Sequence, residues 1–242
     1  MTIAVILPAV NEAAILPQTL ESIRNQPRPP DRLVVVDGGS ADETVAVAER
    51  SGAEVLVVPG RGRGGQIATG VANSREEIIV VAHADMVFPT AAFGTIRDFL
   101  TRHPGCPGGC LGHRFDSSKR IFRAIEWWDR RRAMRGHSYG DQAQFFRRET
   151  LERAGGFPDL PLMEDVELAR RLRQLGRPAY LDVPVSVSAR RYKRLGWPRV
   201  MFANWRLRRA YEQSGPEVCW SIFRRYYGNA GARFCLEMRD LG

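Results

Sequence analysis

The sequence predicts an α/β fold: a mostly parallel, Rossmann-like central sheet flanked by helices, continued by a mixed α+β second half. Three observations carry this. In the first half, short apolar runs alternate with amphipathic helical stretches. The runs are continuously apolar, as in strands covered on both faces. In the second half the rhythm breaks into strands and helices of uneven length. The 242 residues are enough for a real core. No linker-like stretch divides them, so residues 1–242 read as one domain with halves 1–104 and 105–242.

Taken in order, residues 3–7 form a strand. A helix over 12–24 follows, carrying Ile15, Leu16, Leu20 and Ile23. Residues 33–36 are a second strand ending at Asp37-Gly38-Gly39. Ser40-Ala41-Asp42-Glu43 reads as a capping box, serine accepting from the backbone and glutamate reaching back. Residues 54–58 are a third strand, 64–73 a helix despite its glycines, and 77–82 a fourth strand running into His83 and Asp85. Beyond it come a helix over 93–102, a strand over 109–115, an arginine-rich helix over 117–134 and a strand over 141–147. A helix over 164–175 buries Leu168, Leu172 and Leu175. A strand within 179–189 is interrupted by Pro184, and a basic, aromatic helix spans 197–211.

Composition narrows the class. With 44% hydrophobic and 26% charged residues the chain is an ordinary soluble globular protein. No apolar run approaches the roughly 20 residues of a membrane span. The N-terminus reads as a buried strand rather than a signal peptide, so the expected compartment is the cytoplasm. The formal charge of +9 favours an anionic partner. Reduced thiols are expected for Cys106, Cys110, Cys219 and Cys235. His103, Cys106, Cys110 and His113 have the residue types of a zinc knuckle. Alternation along a strand sets Cys110 and His113 on opposite faces, which favours a glycine-rich turn with incidental thiols.

Ligands of parallel sheets collect at the carboxyl ends of the strands, so Asn11, Asp37, Arg63 and Asp85 should converge. A lone aspartate after a strand can hold a divalent cation whose other ligands are water and diphosphate oxygens. His83 either adds a ligand or phosphate donor there, or caps its strand. Asp37 caps a turn and can also face the crevice and bond a base or ribose. The loop Gly60-Arg61-Gly62-Arg63-Gly64-Gly65-Gln66 brings backbone N–H groups and guanidinium near phosphates. Glu164 and Asp165, in the first turn of a helix, offset the helix dipole. Aimed into the crevice, one of them can act as a general base.

Together these residues resemble family 2 glycosyltransferases of the GT-A fold. Ile6-Leu7-Pro8-Ala9-Val10-Asn11-Glu12 is similar to that family's opening strand and Pro-x-x-Asn-Glu turn. Val36-Asp37-Gly38-Gly39-Ser40-Ala41-Asp42-Glu43-Thr44 is similar to its nucleotide segment. Gly62-Arg63 through Gln66 to Gly70 resembles the next loop, and His83-Ala84-Asp85 sits where the family carries Asp-x-Asp. Gly140-Asp141-Gln142, Gly155-Gly156-Phe157 and Glu164-Asp165-Val166-Glu167-Leu168 complete the series in order. The His-Ala-Asp form is most similar to a bacterial subfamily of radical-SAM- or selenodomain-associated transferases.

The resemblance implies an inverting transfer of a sugar from a nucleotide-diphosphate sugar to an acceptor hydroxyl. Residues 1–104 would be the nucleotide-binding half and 105–242 the acceptor-side half. Pro8, Ala9, Asn11, Glu12, Asp37, Gly38, Arg63, Gln66, His83, Ala84 and Asp85 would line the donor pocket, with Asp37 reading the base. Asp85 would hold Mn²⁺ or Mg²⁺, although His83 replaces the first acidic residue of the motif. Asp165, beside Glu164, would be the catalytic base. Asp141, Gln142, Arg190, Arg191 and Trp197 would lie on the acceptor or diphosphate side.

Two other readings predict different products. A nucleotidyltransferase acting on a sugar phosphate would release pyrophosphate rather than a nucleoside diphosphate. A non-catalytic anion binder would use the helix over 197–211, with Trp197, Val200, Met201 and Trp205 on one stripe, against the inner face of an anionic membrane. Such a stripe is otherwise core or an oligomer contact. No nucleic-acid partner is expected.

Overall fold

The computed structural model describes residues 1–227; Cys235 lies outside them. The first half runs β1 (Ile3–Ala9), α1 (Leu16–Arg24), β2 (Arg32–Asp37), α2 (Thr44–Arg50), β3 (Glu54–Val57), α3 (Gly62–Ala72) and β4 (Ile78–Val81). Then come β5 (Met86–Val87), α4 (Ala92–Arg102), β6 (Gly108–Phe115), α5 (Arg120–Ala133), a 3₁₀ turn (Gly140–Gln142), β7 (Gln144–Arg147) and α6 (Arg148–Arg153). The chain continues with α7 (Glu164–Leu175), β8 (Ala179–Val187), α8 (Arg190–Leu195), α9 (Trp197–Ser214) and α10 (Glu217–Tyr227).

Eight strands form one sheet in the order β3-β2-β1-β4-β7-β6-β8-β5. The first four are mutually parallel. β7 runs antiparallel to both β4 and β6, while β6 and β8 are parallel. Side-chain alternation along β1 splits the core. Ile3, Val5 and Leu7 pack with Leu16, Leu20, Phe93 and Ile96 of α1 and α4. Ala4 and Ile6 face Ile67 and Val71 of α3 and Leu168 and Leu172 of α7. A third cluster joins Leu160 and Leu162 to Leu207, Tyr211, Cys219 and Ile222, seating α9 and α10.

Several expectations are corrected. The first helix starts at Leu16, not residue 12. Asn11 is left-handed (φ 55°), and the Glu12 and Ala13 amides donate to Thr44 Oγ1 at 2.8 Å and Asp42 Oδ2 at 3.2 Å. Ser40 caps no helix, since its Oγ accepts from the Asn11 amide at 2.9 Å and donates to Asp37. The N-cap of α2 is Glu43 with no side-chain cap bond, and Asp42 accepts from the Thr44 amide at 3.0 Å. The stretch expected as a strand over 141–147 is divided: the 3₁₀ turn, then Ala143 at φ 42°, then a shorter strand. Pro184 does not interrupt β8, because a register shift opposite Leu111 and His113 accommodates it. In α9 only Val200 of the expected stripe is buried; Trp197, Met201 and Trp205 are exposed.

Candidate functional site

β1, β2 and β4 end at Ala9, Asp37 and Val81 along one edge of the sheet. The antiparallel direction of β7 adds a fourth contributor. Phe145 of β7 faces Val80 of β4, so the chain entering β7 passes beside the segment leaving β4. That places Gly140, Asp141 and Gln142 next to His83, Ala84 and Asp85. A Cβ on Gly140 would lie 2.6 Å from His83 Nε2 and 3.3 Å from Asp165 Oδ2. Only glycine fits at this crossing.

The loops after β1 and β2 are tightly tied. Asp37 is buried; its carboxylate accepts from the Gly39 and Ser40 amides at 2.8 and 2.9 Å and from the Ser40 hydroxyl. Asn11 Oδ1 accepts from the Ala41 amide at 2.8 Å, joining the β1 and β2 loops. Gln66 is buried in α3, and its amide donates to the Ala9 and Val36 carbonyls at 3.1 and 2.7 Å. Gln66 thus holds the ends of β1 and β2 in register. Gly38 lies against it, with no room for a Cβ. Pro8 pairs in register with Val36. The Ala84 carbonyl accepts from Thr19 Oγ1 at 2.6 Å, which fixes the turn after β4 to α1.

On the other wall stands the start of α7. Met163, just before it, is left-handed at φ 62°, a conformation that is costly for a non-glycine residue. Asp165 Oδ2 accepts from the Gly140 amide at 2.7 Å and Oδ1 from the Val166 amide at 2.8 Å. Arg63 Nε donates to Glu164, and Arg63 Nη2 lies 3.9 Å from Asp165. Burial pushes the Glu164 carboxyl up to about 7, with Arg63 opposing and Asp165 adding. Burial, then Arg63, drives the His83 imidazole down to about 3, so it is neutral. Its Nε2 is buried without a hydrogen-bond partner among the described residues.

Asp85 occupies the third wall. Arg190, at the start of α8, donates to both oxygens of Glu12 at 2.6 and 2.7 Å. Burial raises the Asp85 carboxyl above the usual range; Arg190 opposes this, while Glu12 and Asp141 add to it. A hard cation suits this oxygen-rich, electronegative corner, so the residues fit a magnesium or manganese ion completed by ligand oxygens. The structure therefore brings Glu12, Arg63, His83, Asp85, Asp141, Glu164, Asp165 and Arg190 to one crevice. Gln142 is buried behind it, and its Oε1 accepts from the Tyr139 amide at 3.1 Å. Arg191 instead reaches Asn204 of α9 at 3.4 Å, and Trp197 stands half-exposed at the start of that helix.

Sequence reasoning gave Gly140 no role of its own. Its signal was the Gly-Asp-Gln triplet, readable only once the direction of β7 is known. The zinc-knuckle residues do not assemble. His103 Nδ1 lies 2.9 Å from the Phe99 carbonyl, and the Cys106 thiol donates to the Gly108 carbonyl. Burial holds the Cys110 thiol up at about 12, in its protonated form.

Residues 4–151 match the family described as Glycosyl transferase family 2. An uncharacterized glycosyltransferase of Mycobacterium bovis, Mb0553, is 39% identical over 83 residues, covering 34% of this chain and 36% of that protein. Mannosyltransferase PcManGT from Pyrobaculum calidifontis, solved in complex with GDP-Man and Mn²⁺, superposes with a TM-score of 0.62 at 25% identity. That match covers 76% of this chain and 56% of the other. TarS 1-349 of S. aureus, solved with UDP-GlcNAc, gives a TM-score of 0.64 at 16% identity, covering 78% and 58%. The matched stretches span less than two thirds of each of these proteins. The curled α/β sheet with flanking helices is that of GT-A glycosyltransferases, and with more than half its length matched the chain belongs to glycosyl transferase family 2.

Proposed function

We propose that this protein moves a sugar from a nucleoside diphosphate sugar to an acceptor hydroxyl with inversion, using Asp165 as the base. The observation that carries this is the placement of Asp165 across Gly140 from the strand end that bears His83 and Asp85. The acceptor oxygen attacks the anomeric carbon and its proton passes to Asp165. The bond from that carbon to the diphosphate breaks, and the nucleoside diphosphate leaves with the bonding pair. Each Asp165 oxygen keeps a lone pair beyond its backbone bond.

On the donor side, the ends of β1 and β2 offer Pro8, Ala9, Asn11, Asp37 and Gly38 to the nucleoside. Asp85 would hold Mn²⁺ or Mg²⁺, which offsets charge on the departing diphosphate. His83 supplies no anionic contact, so the cation depends on that diphosphate for most of its ligands. Arg190, held by Glu12 beside Asp85, is placed to meet the same phosphates. The His83-Ala84-Asp85 sequence favours the bacterial subfamily of radical-SAM- or selenodomain-associated transferases. PcManGT with GDP-Man and Mn²⁺ and TarS with UDP-GlcNAc support a sugar nucleotide as the donor class.

A thermal-shift series with nucleoside diphosphates, with and without Mn²⁺, tests this reading. One base should raise Tm, and Mn²⁺ should increase the shift. No response to any nucleotide would defeat it. Exchange of pyrophosphate into a sugar nucleotide would point to nucleotidyl transfer instead.

One surface favours an acceptor presented at a membrane. Trp127, Trp128 and Met134 of the α5 region and Trp197, Met201, Phe202 and Trp205 of α9 are each 40–65% exposed. Arg131 lies over Trp127 at 4.1 Å and Arg209 over Trp205 at 5.4 Å. Trp128, Arg131 and Arg135 share a groove with Arg208 and Glu212, so α5 and α9 border one face. Exposed aromatics ringed by arginine suit the interface of an anionic bilayer. No helix among the described residues is long and apolar enough to cross a membrane.

A further inference from the structure

Three potential metal ligands, one of them Asp141 of the crevice, meet on elements far apart in sequence. His113 lies on β6, Asp129 on α5 and Asp141 in the turn before β7. One ligand atom from each lies within 4.8 Å of the other two. The His113 side chain is 1% exposed, and its Nε2 has no hydrogen-bond partner among the described residues. Its nearest counter-charge, Asp129 Oδ2, is 3.5 Å away. Asp141 Oδ1 is likewise buried without a hydrogen-bond partner among the described residues. Buried polar atoms left unsatisfied are destabilising, and a bound cation would satisfy both.

We propose that His113, Asp129 and Asp141 form a divalent-cation site distinct from the corner at Asp85. One imidazole and two carboxylates are a donor set for manganese, cobalt or zinc. Bonds of roughly 2.0–2.2 Å set neighbouring ligand atoms about 3–3.5 Å apart, so atoms that now lie within 4.8 Å of one another would draw in around the ion. Arg132 pairs with Asp129 Oδ1 and so orients this carboxylate with Oδ2 toward His113, as outer partners of metal ligands do. With three protein ligands the site needs only water to fill its remaining positions, whereas Asp85 alone would need a ligand's oxygens. A cation here would fix the turn that carries Gly140 and Asp141. The site goes beyond the proposed reaction and does not depend on it.

Titration of chelator-stripped full-length protein with Co²⁺ and with Mn²⁺, in the absence of nucleotide, tests the proposal. Calorimetry and the visible Co²⁺ absorption band read the result, and circular dichroism checks folding. One cation per chain is expected. His113→Gln and Asp129→Asn should each abolish the band and weaken Mn²⁺ binding more than about 100-fold, beyond what loss of a supporting partner costs. Asp85→Asn should bind as the wild type does. If His113→Gln fails to fold, Asp141→Asn carries the test with the same expected loss. No cation uptake by the wild type would reduce the cluster to a His–Asp ion pair. Uptake that survives His113→Gln, or is lost in Asp85→Asn, would equally overturn the assignment. Nucleotide thermal shifts on the same samples report separately on the donor site.

Discussion

Asp165 and Glu164 are neighbours with opposite environments. Asp165 accepts two backbone N–H bonds, whereas Glu164 has one oxygen on Arg63 and the other buried without a hydrogen-bond partner among the described residues. Asp165→Asn keeps the shape and removes the basic oxygen. It should lower kcat by about 10²–10⁴-fold and leave nucleoside diphosphate binding nearly unchanged, as calorimetry beside steady-state kinetics would reveal. Glu164 makes a pH prediction. Its folded value of about 7 lies above the ordinary 4.5, so the folded state prefers the protonated form. Its stability contribution is intact below pH 4.5 and is lost as pH rises through 7. Glu164→Gln cannot ionise. The Tm of this variant relative to wild type should therefore rise between pH 5 and pH 8; a difference that does not change with pH would refute the assignment. Glu164-Asp165 was legible as a helix-start pair, but the contrast between them was not, because Arg63 and Gly140 come from elsewhere in the chain.

At the scale of elements, α3 and the approach to α7 are packed backbone to backbone. A Cβ on Gly64 would run into the Leu160 carbonyl oxygen, and one on Gly62 would lie 2.7 Å from Pro161. The glycine-rich loop read from sequence as a phosphate cradle is thus also a packing device. It lets Arg63 reach Glu164 across the helix pair. Gly64→Ala should cost about 1–3 kcal/mol by overpacking, measurable by denaturant melts, and should raise the donor KM by displacing Arg63. Periodicity alone located α7 at residues 164–175, because Leu168 and Leu172 mark its buried face. The start of α2 was misread for a physical reason: the nearest donor to Ser40 is the amide of Asn11, on another strand end. Local capping rules do not see a partner 29 residues away.

Across the whole molecule, the parallel half was legible as continuous apolar runs, and the crevice followed from the carboxyl-end rule. The direction of β7 was not, since a short buried strand carries no mark of its orientation. Nor was the meeting of His113, Asp129 and Asp141, which depends on three elements packing together. The face shared by α5 and α9 makes a prediction at this scale. Vesicles containing anionic lipid should carry the protein upward in flotation, and neutral vesicles should not. Added salt should weaken the association, and a Trp128→Ala, Trp205→Ala double variant should abolish it while leaving nucleotide binding intact. Equal flotation with both vesicle types would remove the electrostatic part of the reading.

The antiparallel entry of β7 has a consequence for how this fold could change. Its preceding turn lies against His83 at the end of β4 and donates one amide to Asp165 at the start of α7. Under the proposed reaction, nothing in that turn can drift without being felt by both substrates. Substitutions at 140–142 should move the two Michaelis constants together, so a lineage seeking a new acceptor through this turn would forfeit donor discrimination on the way. Loops farther from β7 are where acceptor choice can diversify independently.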